Sequence, residues 1–572
     1  MRYIALAADY DGTLAAHGAI DEQTEAALVR LKSSGRRLIM VTGRELDELL
    51  QVCPQVGLFD CVVAENGGLI YDPKIREISL LADPPPREFV DRLTGRGVLP
   101  LGVGRVIVAT WEPHQQAVVE TIREMGLELQ VIFNKQAVMI LPSGVNKASG
   151  LREALRRLGL SPRNVVSVGD AENDHAMLRL TECGVAVANA IDSLKEHADW
   201  TASAPRGAGV CQLVDRLLDD DLASLEPMLT RHQIPLGRDR EDEEETVRFP
   251  PFGLNILIAG TSGSGKSTLV TGVLERLAER GYQACIVDPE GDYTTFPGAI
   301  VLGGAEAPPP LDEVEDVLDH PDETVVVNLI GLSMPHRPEF FEGLMPRLQE
   351  LRARTCRPHW VVIDEAHHLL PRERHPTTLP LDLRGALFIT VHPESVAPEV
   401  LATVEEVWAV GEAPGETLAR FAASIGAPPP RCEGDETLAP GECLVWSRRP
   451  GAGPPRVVRS LPARSERRRH SRKYAIGELE PRLCFYFRGP DGRLNLRAQN
   501  LWMFLQIGEG VDEETWLHHL RNGDYASWFR GALKDQGLAD EARAIADRVG
   551  SDAAEGRAAL RAAVARHYML PT

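Results

Sequence analysis

Short apolar runs of four to six residues, each ending in a polar cluster, recur along most of the chain, with helical spacing between them. Residues 3–8, 37–41 and 165–168 are such runs in the first third; residues 256–259, 283–287, 324–329, 360–363 and 387–391 are such runs in the middle. Their length and aliphatic content predict buried strands. After residues 256–259, the apolar positions Leu269, Val270, Val273, Leu274 and Leu277 follow helical spacing. Strands alternating with helices predict parallel α/β sheets. Between about 83 and 142 the pattern gives strands at 105–110 and 138–141 and a helix at 113–125, a small α+β insertion. Past residue 463, runs at 483–488 and 493–496 flank a Gly-Pro-Asp-Gly turn as a hairpin. Helices follow at 497–507 and after Asp512 and Asp524, both expected as caps. Trp502, Trp516 and Trp528 on these helices are expected in the core. The fold class is therefore α/β. An α/β domain with a cap at 83–142 fills 1–220, a linker 221–248, a second α/β domain 249–462, and a small, mainly helical domain 463–572.

The polar clusters carry the chemistry. Residues 3–8 end at Asp9-Tyr10-Asp11-Gly12-Thr13, residues 37–41 at Thr42-Gly43-Arg44, and residues 165–168 at Gly169-Asp170-Ala171-Glu172-Asn173-Asp174; Asn146-Lys147 lies between the last two. Alternate residues at a strand end point the same way, so Asp9 and Asp11 share a face. Carboxylates and a lysine at the C-terminal ends of parallel strands stand where open α/β sheets bind ligands.

DYDGTL, TGR, NK and GDAEND, in that order, resemble the four motifs of the haloacid dehalogenase superfamily of phosphatases, and AENGGLIY resembles a stretch of its Cof-type branch with a IIB cap. The resemblance covers roughly residues 1–218. It implies Asp9 as nucleophile, Asp11 as acid/base, Thr42 and Lys147 as phosphoryl-binding residues, and a Mg²⁺ ion held by Asp9, Asp11, Asp170 and Asp174, with Asn173 in support. The cap is short and resembles those of small archaeal phosphoglycolate phosphatases; Arg105, His114, Asn134 and Lys135 are its candidate specificity residues.

In the middle domain, Gly260-Thr261-Ser262-Gly263-Ser264-Gly265-Lys266-Ser267 fits G-x-x-x-x-G-K-[ST] between a strand and a helix. In that context the motif reads as a phosphate-binding loop. Gly260, Gly263 and Gly265 let backbone N–H groups turn toward a phosphate, Lys266 reaches it, Ser267 binds Mg²⁺, and Thr268 continues the helix N-terminus. The strand at 360–363 ends in Asp364-Glu365; the first residue suits a metal's water shell, the second activation of water. GTSGSGKST, DPEGDY, IDEAHHLLP and TVHPES resemble the HerA/FtsK-like P-loop ATPases over residues 234–462. The resemblance implies ATP binding and hydrolysis, and a ring, most simply a hexamer, with Arg384 or Arg354 as candidates for an arginine delivered across subunits. His392 stands where a polar sensor, often Gln, is expected.

The net charge of −21 confines any nucleic-acid contact to a local basic patch, of which RSERRRHSRK at 464–473 is the clearest; nucleic acid is left open as a partner. Nine cysteines without a C-x-x-C pair argue for reduced thiols and against zinc. No apolar run approaches the ~18 residues a span requires. A cytoplasmic enzyme is expected, acting on a small phosphomonoester of the phosphoglycolate or sugar-phosphate type and fused to an oligomeric ATPase. The alternatives are a polynucleotide kinase–phosphatase and a nucleotide-gated assembly scaffold.

Overall fold

The computed structural model describes residues 1–374, 384–432, 437–464, 472–475, 479, 481–533, 535–549 and 552–568. The first third folds around an eight-stranded sheet. Its order is Trp200–Thr201, Cys183–Ala186, Val165–Gly169, Ala5–Ala8, Arg37–Val41, Cys61–Ala64, Leu69–Asp72, Glu77–Leu80, the first six parallel and the last two turned back as antiparallel strands. Ala5–Ala8 is central and wholly buried, which is why it reads as an unbroken apolar run rather than an alternating one. The cap is a four-stranded antiparallel sheet, Gly102–Val103, Val108–Trp111, Ala137–Pro142, Leu129–Asn134, with helices Arg87–Gly95 and Gln115–Met125 packed on one face through Phe89, Leu93, Val118 and Ile140.

The middle of the chain forms an eleven-stranded sheet. Seven parallel strands run in the order Glu406–Val410, Ile256–Gly260, Ala386–Thr390, Trp360–Ile363, Ala284–Asp288, Thr324–Asn328, Ala299–Leu302. Four antiparallel strands extend it: Glu442–Ser447, Arg456–Ser460, Ile234–Asp239 and Thr246–Phe249. Residues 221–248, expected as a linker, are therefore built into both domains. Leu222, Leu225 and Leu229 pack on the first core, and Ile234, Leu236, Val247 and Phe249 on the second. The acidic run between them is a hairpin tip, with Asp239 accepting from the Glu241 amide at 2.9 Å.

The two large sheets meet at the edges where their strands begin. Asn164, just before Val165–Gly169, donates to the Cys356 carbonyl at 3.4 Å and accepts from His359, just before Trp360–Ile363, at 3.0 Å. The other ring nitrogen of His359 accepts the Gln283 amide at 2.8 Å, so the ring is neutral. Burial, reinforced by Arg357, holds its pKa well below the usual histidine value. Arg357 donates to the Gly159 carbonyl at 2.9 Å. Beside them Glu182, 2% exposed, takes Arg2 at 2.6 Å, the Tyr282 hydroxyl at 2.7 Å and Arg163 at 3.3 Å. All of these groups precede their strands. The C-terminal strand ends of the two domains consequently face in opposite directions.

In the tail, strands Phe485–Phe487 and Leu496–Ala498 form the expected hairpin, and helices Leu501–Gly510, Glu513–Arg521, Asp524–Gly531, Gln536–Val549 and Ala553–His567 follow. Asp512 caps its helix by accepting from the Thr515 amide at 2.8 Å. Asp524 does not: Gly523 is the cap residue, and the Asp524 carboxylate is taken by His519 at 2.7 Å. Trp516 and Trp528 are buried, but Trp502 is 40% exposed and not a core residue. Most of the basic cluster at 464–473 lies outside the described residues.

Candidate active sites

In the first domain every motif arrives at the C-terminal strand edge. Asp9 follows Ala5–Ala8, Thr42 follows Arg37–Val41 and Asp170 follows Val165–Gly169, while Lys147 opens helix Lys147–Arg157 behind the Asn146 cap. Lys147 is 1% exposed and donates to Asp9 Oδ1 at 2.6 Å and to Asp174 Oδ1 at 2.7 Å. The other Asp174 oxygen accepts the amides of Asp170 and Ala171 at 2.9 and 3.0 Å, which fixes the turn. Burial pushes Asp9 up to about 7 against the pull of Lys147, with Asp174 and Asp170 adding to the rise. Burial opposes the charge on Lys147, yet Asp174 and Asp9 outweigh it and raise its pKa. Burial also raises Asp170. Oxygens of Asp9, Asp170 and Asp174 lie within 4.8 Å of one another, all three residues buried. Hard carboxylate oxygens at this spacing, carrying more negative charge than Lys147 neutralises, fit Mg²⁺.

Asp11 stands apart from that trio. Arg44 grips both its oxygens, at 2.6 and 2.7 Å, and is itself held by Glu48. Thr42 is fully buried, its hydroxyl accepting the Arg44 amide at 3.1 Å. Of the four cap candidates only Lys135 enters the site, reaching Asp170 at 2.6 Å. Arg105 bonds Asp47 at the surface, His114 bonds the Leu99 carbonyl, and Asn134 has a buried amide oxygen with no partner among the described residues.

Two residues escaped the sequence reading of function. Glu65, 1% exposed, accepts the amides of Arg105, Val106 and Ile107, the last at 3.0 Å, and so ties the cap to the core. Asn66, fully buried in a left-handed conformation, accepts from Asn173 at 3.0 Å, and its own amide N–H has no partner among the described residues. The motif AENGGLIY flagged both positions, but nothing local states what they face.

In the second domain the loop after Ile256–Gly260 turns through left-handed Gly263 and Gly265 into helix Lys266–Glu279. Lys266 is 8% exposed and donates to the Gly260 and Thr261 carbonyls at 2.8 and 2.9 Å; burial lowers its pKa against the pull of Glu365 and Asp364. Asp364 is buried, and burial, then Glu365, Asp292 and Asp288, push its pKa far up. Four carboxyl groups are thus crowded at the end of strand Trp360–Ile363. Glu365 adopts a left-handed conformation, and His367 lies 3.4 Å from it and 3.0 Å from the Thr390 hydroxyl. Thr390 also accepts the His392 amide at 3.0 Å, while the His392 ring turns to Glu394. Arg384 precedes Ala386–Thr390 and Arg354 ends helix Arg337–Thr355 beside Glu315 and Asp319, so both lie at the strand-start edge, away from Lys266 of their own chain.

Residues 6–93 and 107–214 match the haloacid dehalogenase-like hydrolases, and residues 253–343 match the central domain of the helicase HerA. A phosphoglycolate phosphatase of Methanothermobacter thermautotrophicus is 30% identical over 227 residues, 37% of this chain and 98% of that protein. Phosphoglycolate phosphatase 2 of Saccharolobus solfataricus is 30% identical over 225 residues, 38% and 92% respectively. Among solved structures, a subclass IIB sugar phosphatase of the haloacid dehalogenase superfamily is 20% identical, with 37% of this chain and 98% of that one covered and a TM-score of 0.33. A Thermoplasma acidophilum protein is 17% identical, with 38% and 99% covered and a TM-score of 0.35. The chain belongs to the haloacid dehalogenase-like hydrolases through its first third, and carries a HerA-like P-loop domain in the same polypeptide.

Proposed function

We propose that the chain is a Mg²⁺-dependent phosphatase of small phosphomonoesters fused to an ATP-hydrolysing P-loop domain. The observation that carries the first half is the buried Asp9–Lys147–Asp174 cluster at the strand ends. Lys147 holds one Asp9 oxygen; the other attacks phosphorus, forming an aspartyl phosphate as the bond from phosphorus to the leaving oxygen breaks. Asp11, once turned from Arg44 toward the substrate and protonated, gives its proton to that oxygen, then takes one from the water that releases phosphate, help of a kind worth about 10²–10⁴-fold. Thr42 and the free amide of Asn66 supply donors to the phosphoryl oxygens, and Lys147 balances their charge. When bound at Asp9, Asp170 and Asp174, Mg²⁺ supplies electrophilic stabilisation of the same oxygens. Small substrates are favoured because the cap closes low: a side chain on Gly43 would meet the Met139 methyl at 3.0 Å. The similarity to phosphoglycolate phosphatases supports that substrate type.

In the second domain Lys266 releases its two carbonyls to bind ATP phosphates, Ser267 and Asp364 hold the metal, and Glu365, steadied by His367, orients the attacking water. Arg384 or Arg354 could act at this site only when delivered by a neighbouring subunit, as in a ring. A panel of phosphomonoesters and ATP, assayed with Mg²⁺, with and without DNA, tests the whole reading. Asp9→Asn is expected to abolish phosphomonoester hydrolysis and spare ATP hydrolysis, and Lys266→Ala the reverse. Phosphatase activity in Asp9→Asn refutes the first half and ATP hydrolysis in Lys266→Ala the second, while an ATP-hydrolysing monomer whose rate per chain is independent of concentration refutes the ring.

A further inference from the structure

We propose that the tip of the cap hairpin, Asn134-Lys135, is the subsite for the leaving group, and that Lys135 selects substrates whose leaving group carries a carboxylate. The inference rests on the phosphatase reading and goes beyond it by assigning the selecting charge. Strands Leu129–Asn134 and Ala137–Pro142 pair throughout, and Lys135 and Gln136 close them in left-handed conformations, at φ 47° and 79°. That two-residue turn fits the twist of the strands and makes the tip stiff. Asn134 shares its sheet face with Ile132, which packs with Met139 and Leu141 on the side away from the cap helices. The tip thus points down at the catalytic edge.

The ammonium of Lys135 lies 2.6 Å from Asp170 and would sit 3.0 Å from a β-carbon added to Gly12. Asp170 lies within 4.8 Å of Asp9, so a leaving group of two or three carbons, its phosphorus at Asp9, ends beside Lys135. Asp170 is shared: Asn189 donates to the same oxygen at 3.2 Å, and Thr13 to the other at 3.4 Å. With Asp170 committed to a metal, less of its charge is left for Lys135. Lys135 is 49% exposed on its side chain, free to turn toward an incoming anion. The buried amide oxygen of Asn134, without a partner among the described residues, is an acceptor and leaves the carboxylate to Lys135. Arg44, the other cation at the mouth, is engaged by Asp11 and Glu48. Lys135 is therefore the cation best placed to read the far end of the substrate.

The test compares 2-phosphoglycolate with ethyl phosphate, which replaces the carboxylate by a methyl group, in the full-length chain with Mg²⁺. Lys135→Met is expected to lower the ratio of their kcat/KM values about ten- to a hundredfold, the range of a charge-assisted hydrogen bond, through KM for phosphoglycolate. Lys135→Arg, which keeps the charge on the same turn, is expected to restore most of the ratio. A second readout needs no turnover: Lys135→Met should tighten Tb³⁺ binding, followed by luminescence in Lys266→Ala chains, because Asp170 loses its competing cation. A wild-type chain that hydrolyses both esters, with a ratio unchanged by Lys135→Met, overturns the inference and leaves the phosphatase standing. A chain that hydrolyses neither ester overturns the phosphatase itself.

Discussion

Glu182→Gln probes the joint between the two large domains. The Glu182 carboxylate is 2% exposed and bonds Arg2, Arg163 and the Tyr282 hydroxyl. Burial disfavours its charge, but Arg2, His232 and Arg163 outweigh burial and hold its pKa below the usual range. Glutamine keeps the shape and removes the charge, leaving two guanidiniums in a buried setting. Breaking one side of such an arrangement costs about 3–5 kcal/mol. For a domain of this size that is a fall in Tm of about 6–20 °C, at about 2–4 °C per kcal/mol. Tyr282→Phe removes one donor to the same charge and costs about 1–2 kcal/mol. Because Tyr282 belongs to the P-loop domain and Glu182 to the phosphatase, the double variant is the decisive measurement. Calorimetry should show non-additivity of about 0.5–3 kcal/mol. A shift below about 2 °C for Glu182→Gln, or additive costs within about 0.4 kcal/mol, would refute the docked arrangement in solution.

Acidification from pH 7.5 to 5.5 should remove the stability that neutral His359 contributes, against an opposite gain from Asp9, which takes up its proton near pH 7 in the folded state. The folded state keeps His359 neutral, whereas the unfolded state takes up a proton near pH 6.5, so stability is full above that value and about 1.4 kcal/mol is lost at pH 5.5. His232, lowered to about 4 chiefly by burial, acts in the same direction as His359, and His359→Gln should make Tm fall less, or rise more, on acidification than in the wild-type chain; an unchanged slope would sink the assignment. Gly67→Ala should cost most of the phosphatase activity without touching ATP hydrolysis, since its β-carbon would lie 2.0 Å from the Asn146 carbonyl at the helix that carries Lys147. Full turnover by that variant would show that the helix tolerates displacement. Gly260→Ala should weaken ATP binding and cost about 1–3 kcal/mol, because a β-carbon there meets the Val410 carbonyl at 2.1 Å; unchanged calorimetric affinity would contradict it.

What could be read from sequence was what is local. Asp9, Thr42 and Asp364 each immediately follow an apolar strand, and Lys266 follows one across the glycine loop, so pattern and chemistry coincide within a few residues. Ile234, Leu236, Val247 and Phe249 also alternate as strands do, but the acidic run between them suits a solvated hairpin tip and a linker equally, and only the pairing of the two strands decides for the tip. Lys135 and Asp170 meet only because the cap folds over the core, a contact between residues 35 apart in sequence. The joint was hidden for a different reason: Asn164, His359 and Glu182 are polar groups satisfied by one another across domains, and no periodicity marks such partners.

The abutting of strand-start edges sets how far one active site can sense the other. A strand of four or five residues spans about 16 Å, so two sheets placed back to back separate their catalytic edges by at least ~30 Å. The Debye length at physiological ionic strength is about 8 Å. The charge of ATP bound at Lys266 is screened several times over before it reaches Asp9, and a product leaving either site enters bulk solvent on the far side of the molecule from the other. Any influence of nucleotide on phosphomonoester turnover must therefore travel as movement of the strands themselves, through Asn164, His359 and Arg357, and should persist undiminished at high salt.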